Sequence, residues 1–260
     1  MGKIRKAAVA GMFYPSEKKE LSAMVATYIS DSIPEKFPRA LIVPHAGYIY
    51  SGSTAGTGYS AIKGIKAENI LLLGPAHRTF VRGLAVPDSS HFETPLGRVN
   101  LNQKIIDKIL KLPFVEINND AHKNEHCLEV QLPFLQNILS DFSIIPVLAG
   151  DIEIEKIVNF LEQIEQDLDL IIISSDLSHY NSYEEAGILD RAASESIENL
   201  DPDTIRSAQA CGFKPVKALL TYARKKGLEA KTLMLKNSGD TSGDKKSVVG
   251  YGAYAFFNRS

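Results

Sequence analysis

Three histidines in this sequence stand at the same kind of place. LIVPHAGY carries His45, LLLGPAHR carries His77, and IIISSDLSH carries Asp176 and His179, each shortly after an aliphatic run. Runs that are apolar at nearly every position suit strands buried on both faces, as in parallel sheets. In open α/β sheets, ligands bind beyond the carboxyl ends of the strands, because side chains leaving those ends converge there. Taken singly, each histidine is explained as a satisfied loop or core residue. Three of the six histidines at one topological station point instead to a shared pocket.

Neutral imidazole ligates iron, zinc, copper and nickel, and two histidines plus one anion leave coordination positions open for substrate or oxygen. Asp176 or Cys211 could supply the anion. Cys211 lies in QACGFKP, before a predicted helix whose N-terminus would help hold a thiolate; a buried inert thiol is the alternative. The segment HKNEH, 122–126, fits the H-x-x-E-H spelling of two zinc-binding histidines with a water-activating glutamate. It runs straight into LEVQLPFLQ, where Pro133 is tolerated only in a first helical turn or at a kink. Glu125 and His126 are therefore read as a wall or outer support of the strand-end site. SGSTAGTG, after Tyr50, lacks the lysine of a phosphate-binding loop, and its small residues suit a helix packed closely behind the His45 loop. NSGDTSGD, 237–244, carries Asp240 and reads as an acidic loop that covers the pocket or makes the turn before the last strand.

The elements that must position these residues are strands at 40–43, 70–73, 144–148, 170–173 and 248–257, with amphipathic helices at 18–29, 101–110, 152–166, 183–200 and 215–225. Ser16, Asp151 and Pro202 read as helix starts. Alternation of strand and helix predicts a mostly parallel central sheet with helices on both faces. No linker or repeat divides residues 1–260, so one α/β domain is expected, large enough to bury about three quarters of its unfolded surface. Lys+Arg 29 against Asp+Glu 31 leaves no basic surplus for nucleic acid. Cys127 and Cys211 form no disulfide framework, and the start MGKIRKAAVAGMFYP is too short in apolar residues and too broken for a signal peptide. No run is long enough for a membrane span, and the expected compartment is the cytoplasm.

Read together and in order, AVAGMFYP, VPHAGYIYSG, GPAHR, EHCLEVQLPFLQ, SSDLSHY, ACGFKPV, SGDTSGD and VVGYGAYAF resemble the Memo family, mediators of ErbB-driven cell motility and their archaeal and bacterial relatives. The likeness runs through nearly the whole chain. It implies a three-layer sandwich similar to the LigB-type class III extradiol dioxygenases, which use non-haem Fe(II) to open catechol rings. Carried over by motif, it implies His45, His77 and Cys211 as metal ligands. Asp176 and His179 are implied as close neighbours, His179 as acid/base with Asp176 orienting it, and Glu125, His126 and Asp240 stand around the pocket. The dioxygenases complete their triad with a carboxylate where this chain has a cysteine, and a thiolate suits copper or zinc as well as iron. The implied cofactor is Fe(II), with Cu or Zn as alternatives. The implied activity is that of a dioxygenase-like oxidoreductase, against a module that holds a metal, small molecule or peptide without turnover. Radical-SAM and AMMECR-type proteins are the implied partners.

Overall fold

Aliphatic runs become the middle of a sheet because nothing in them can face water. In the computed structural model, which describes residues 2–259, the chain starts with strand β1 (Ile4–Arg5), helix α1 (Lys18–Tyr28), β2 (Ala40–Val43), α2 (Tyr48–Ser60) and β3 (Asn69–Pro75). There follow β4 (Leu84–Val86), β5 (His91–Thr94), β6 (Gly97–Leu101), α3 (Gln103–Ile109), β7 (Val115–Ile117), α4 (Asn119–Lys123), α5 (Leu132–Ile138) and β8 (Ser143–Ala149). The rest is α6 (Ile154–Ile164), β9 (Leu170–Ser174), β10 (His179–Asn181), α7 (Tyr183–Glu198), α8 (Phe213–Lys225), β11 (Leu228–Asn237), α9 (Ser238–Ser242) and β12 (Val248–Asn258).

Among the described residues the strands join in one sheet, ordered β1-β5-β6-β8-β3-β9-β2-β12-β10, with β11 also on β12 and the β4–β7 pair on β8. The middle, β6-β8-β3-β9-β2, is parallel, and every residue of β2 and β9 is buried. The flanks are not. Strands β5 and β6 pair antiparallel across a two-residue connection, and β12 runs antiparallel to β2, β10 and β11. The sheet is therefore mixed rather than mostly parallel: the two-residue link reverses β6 on β5, and β12 enters beside β2 in the opposite direction.

Helices cover both faces. Asp190 and Ser194 of α7 meet Gly250 and Tyr254 of β12, whereas Gly58 of α2 faces Ala253, so these helices lie on opposite sides of that strand's pleat. Helices α1, α2 and α5 pack together, as do α6 and α8. The small residues of α2 serve the predicted purpose: a Cβ on Gly52 or Gly56 would stand 2.5 Å or 2.4 Å from Tyr28, so only glycine admits α1 this closely.

Three expected helix starts fall elsewhere. Glu17 precedes α1 without a side-chain cap, so Ser16 is not the cap residue; α6 starts after Glu153 rather than Asp151; and residues 202–204 form a turn, not a helix. The side-chain caps that do form belong to Asn102, Asn118 and Asn237, and to Ser182 with Glu185 in a reciprocal capping box. No helix among the described residues is long and apolar enough to cross a membrane.

Candidate metal centre

Strands β3, β9 and β2 lie side by side and parallel, so the loops leaving their carboxyl ends emerge together. His45 follows β2 by two residues, His77 follows β3 by two, and Asp176 follows β9 by two. His126 joins them from the coil beyond α4. The His45 ring centroid lies 5.2 Å from that of His77 and 5.4 Å from that of His126, and the last two rings stack at 5.0 Å. One nitrogen from each imidazole lies within 4.8 Å of the others, close enough for a single ion to take all three.

Hydrogen bonding decides which nitrogen His45 offers. Gln131 is oriented by Tyr59, whose hydroxyl donates to Oε1, and by the Pro44 carbonyl, which can only accept from Nε2. That Nε2 also donates to Ser174 Oγ at 2.9 Å, and the Ser174 hydroxyl gives its own hydrogen to the Cys127 carbonyl at 2.7 Å. Ser174 thus has only a lone pair left for His45 Nδ1, 2.8 Å away, so Nδ1 carries the proton and Nε2 is an unprotonated donor atom. Burial holds this imidazole well below its ordinary pKa, and the neighbouring His77 and His126 add to the effect.

Glu125 does the same for His77. Its carboxylate accepts from His77 Nδ1 at 3.0 Å and from the backbone N–H groups of His77, His126 and Cys127. Burial opposes its ionisation, but the contacts with His126 and His77 hold it well below the usual carboxylate range. A carboxylate on Nδ1–H fixes ring orientation and leaves Nε2 free, the arrangement common to metal-bound histidines. His126 Nδ1 is 3.1 Å from the same Glu125 oxygen but out of line for a hydrogen bond, so a buried imidazole nitrogen stands without a partner. Three imidazoles grouped in this way, two of them with fixed lone pairs, could share one cation.

The family model for Memo-like protein matches residues 5–255. The chain belongs to the Memo family. It is 37% identical to a MEMO1 family protein of Aquifex aeolicus over 96% of this chain and 97% of that one. Identity is 35% to the Nitrosopumilus maritimus member, covering 97% and 99% of the two chains, and 34% to that of Thermoplasma volcanium, covering 95% and 96%.

In this Memo chain Cys211 stands against His45, with Sγ 3.2 Å from Nε2 and accepting from the Asp176 N–H at 3.2 Å. Burial, with the Asp176 carboxyl beside it, pushes the thiol up to about 12. His126 belongs to the cluster itself rather than to a supporting wall, although it follows no strand. Asp176 is buried, and its Oδ1 accepts from the His45 N–H at 2.6 Å. It braces the His45 loop; the orientation of His179 comes instead from the Leu177 carbonyl, 2.8 Å from Nδ1. Asp240 is exposed and caps α9 at Asn237 while accepting from the Tyr183 hydroxyl, so it stands outside the histidine cluster. The 237–244 stretch is in part helix rather than loop.

The H-x-x-E-H spelling does not form a zinc site. Helix α4 ends at Lys123, and His122 is buried away from the cluster, its Nε2 donating to the Ala85 carbonyl at 3.0 Å. What holds the segment is Arg5, more than a hundred residues earlier in the chain. Its guanidinium donates to the carbonyls of His122 and Glu125 and pairs with the fully buried Glu129, which also accepts from Ala8 N, Val9 N and the Tyr14 hydroxyl. Glu125 and His126 are thereby bracketed between two anchored points. No spacing in the sequence announces this contact.

Proposed function

We propose that this protein holds a non-haem metal ion, Fe(II) in its working form, at His45, His77 and His126, with Cys211 as the adjoining thiolate ligand. The observation that carries the reading is the convergence of three imidazoles, His45 buried and His77 and His126 partly open to solvent, two of them with their Nε2 lone pairs fixed by hydrogen bonds and the third against the Glu125 carboxylate. The proton between Cys211 Sγ and His45 Nε2 would leave on metal binding, because a thiolate, not a thiol, is the ligand. Such a metal supplies Lewis-acid and redox chemistry to a substrate bound in its open positions.

The chain's own residues then have distinct tasks. His179 keeps Nδ1–H on the Leu177 carbonyl, so its Nε2 is free to take a proton from a substrate hydroxyl and return it. Asp176 and Ser174 hold His45 in place, and Phe13, packed on His126 at 4.7 Å, shields that ring from water. The dioxygenase-like fold that the sequence motifs imply is what favours an oxidoreductase reading.

Metal analysis of protein purified without oxygen and reloaded with Fe(II), followed by oxygen uptake with catechols, tests the proposal. One tightly held ion per chain is expected, lost in His45→Ala and in His126→Ala. Equal iron in parent and variants would overturn the ligand set; one ion per chain without oxygen uptake by any catechol would overturn the dioxygenase reading alone.

A further inference from the structure

Three features that folded chains rarely keep gather beside His179, and the metal centre uses none of them. Asp190, in α7, is buried, and among the described residues its carboxylate takes one hydrogen bond, from the Ser178 N–H to Oδ1 at 3.0 Å, and no ion pair. The Ser178 hydroxyl is buried as well and has no partner among those residues. Tyr180 has a φ of 60°, a left-handed conformation uncommon outside glycine, and it is the extra residue of a bulge: His179 stands opposite Val249 of β12, and Asn181 opposite Val248. Unsatisfied and strained groups of this kind cluster at functional sites.

The fold is shaped to admit the carboxylate. A Cβ on Gly250 would stand 2.0 Å from Asp190 Oδ2, so β12 carries only hydrogen there. Gly250 in turn pins the segment before His179, its N–H donating to the Ser178 carbonyl and its carbonyl accepting from the Leu177 N–H, each at 2.8 Å. What Asp190 grips is one end of the peptide unit that joins Leu177 to Ser178. The other end of that planar unit is the Leu177 carbonyl, the acceptor of His179 Nδ1–H at 2.8 Å. Carboxylate, peptide and imidazole therefore form one chain of hydrogen bonds. Burial pushes the Asp190 carboxyl up to about 6, against the Ser178 N–H, His179 and Arg191, which favour its ionised form; Tyr254 of β12 is the other titratable group beside it.

We propose that Asp190 is a positioning residue for His179 and acts through the peptide unit between them: the carboxylate takes the N–H of that unit, and the carbonyl at its far end takes the imidazole Nδ1–H. Polarisation along the chain strengthens the Leu177 carbonyl as an acceptor, fixes the ring in one tautomer and presents the Nε2 lone pair. Use of that lone pair as an acid/base rests on the function proposed above; the relay does not.

Asp190→Asn keeps the shape of the side chain and an acceptor oxygen but loses the charge. In metal-free protein at pH 8, long-range ¹H–¹⁵N NMR should find the His179 ring as the Nδ1–H tautomer alone in the parent and as a mixture of both tautomers in Asp190→Asn. The Ser178 amide proton should move upfield as pH falls through about 6 in the parent and in His179→Gln, as its charge-assisted bond is lost, and hold still in Asp190→Asn. Because the native carboxyl titrates above its ordinary 3.8, its burial costs stability that is withdrawn as pH rises from 3.8 to about 6; at pH 8 Asp190→Asn should therefore unfold at an equal or higher urea concentration than the parent. With Fe(II) and a catechol, kcat for oxygen uptake should fall by about 10–100-fold in Asp190→Asn at unchanged KM. An unchanged His179 tautomer, a Ser178 shift that persists in Asp190→Asn, or a variant clearly less stable than the parent at pH 8 would overturn the relay. If no catechol supports uptake by the parent, the oxidoreductase reading falls while the NMR outcomes still decide the relay.

Discussion

Replacing Glu129 by glutamine removes a charge and one acceptor oxygen from a knot that tolerates neither loss. Glu129 is fully buried, and its two oxygens serve Arg5, Ala8 N at 2.8 Å, Val9 N at 3.0 Å and the Tyr14 hydroxyl. In Glu129→Gln the amide NH₂ must face donors, and the Arg5 guanidinium stays buried without its counter-charge. Breaking a buried pair from one side costs about 3–5 kcal/mol. For a chain of this size that corresponds to a fall in Tm on the order of 10 °C. Reversible urea unfolding followed by far-UV circular dichroism reads the loss directly, and Arg5→Met with the double variant completes a cycle. Because both residues share one network, the double variant should be less destabilised than the sum of the singles by about 1–3 kcal/mol. A loss below about 1 kcal/mol in Glu129→Gln, or strict additivity, would show that the N-terminal segment is not tied down by this pair.

Three further outcomes follow from the same geometry. Burial lowers the His122 pKa from 6.5 to about 4. The native state therefore binds fewer protons than the unfolded chain in that window, and stability present above pH 6.5 is lost as pH falls through 4. The parent should lose about 3 kcal/mol more than His122→Gln over this range, read from urea midpoints; parallel pH profiles would contradict it. Long-range ¹H–¹⁵N NMR of metal-free protein should find His45 protonated at Nδ1, and Ser174→Ala should weaken metal binding by about 10–100-fold; a proton on Nε2 would refute the tautomer assignment. Finally, a Cβ at Gly74 would stand 2.8 Å from Cys127 Sγ and 3.0 Å from Leu128 Cδ2. Gly74→Ala should cost about 1–3 kcal/mol and loosen the metal site by displacing the segment that carries His126. Unchanged stability by thermal unfolding would mean that the segment yields freely.

The parts of the fold that could be read from sequence are those governed by a single local rule. Strand β2 was legible at both ends because Ala40–Val43 is apolar throughout and stops at Pro44. The convergence of His45, His77 and Asp176 followed from the parallel order of their strands. Strand β11, LEAKTLMLKN, was not legible, since among the described residues it pairs only with β12 and its charged and apolar residues keep no steady alternation. His126 follows no strand end; its place among the rings is set by Arg5 and Glu129, which meet only after the chain has folded. The same holds for Gln131 and Ser174, whose types are unremarkable in sequence and whose burial gives His45 its tautomer.

The central claim is that three imidazoles and a thiol surround one ion. Crystals soaked with Fe(II) in the absence of oxygen, measured on both sides of the iron absorption edge, test it most directly. A single anomalous peak about 2 Å from His45 Nε2 and from nitrogens of His77 and His126, with Cys211 Sγ in reach, is the predicted result. A cluster without a peak, or a peak at surface carboxylates alone, would contradict it.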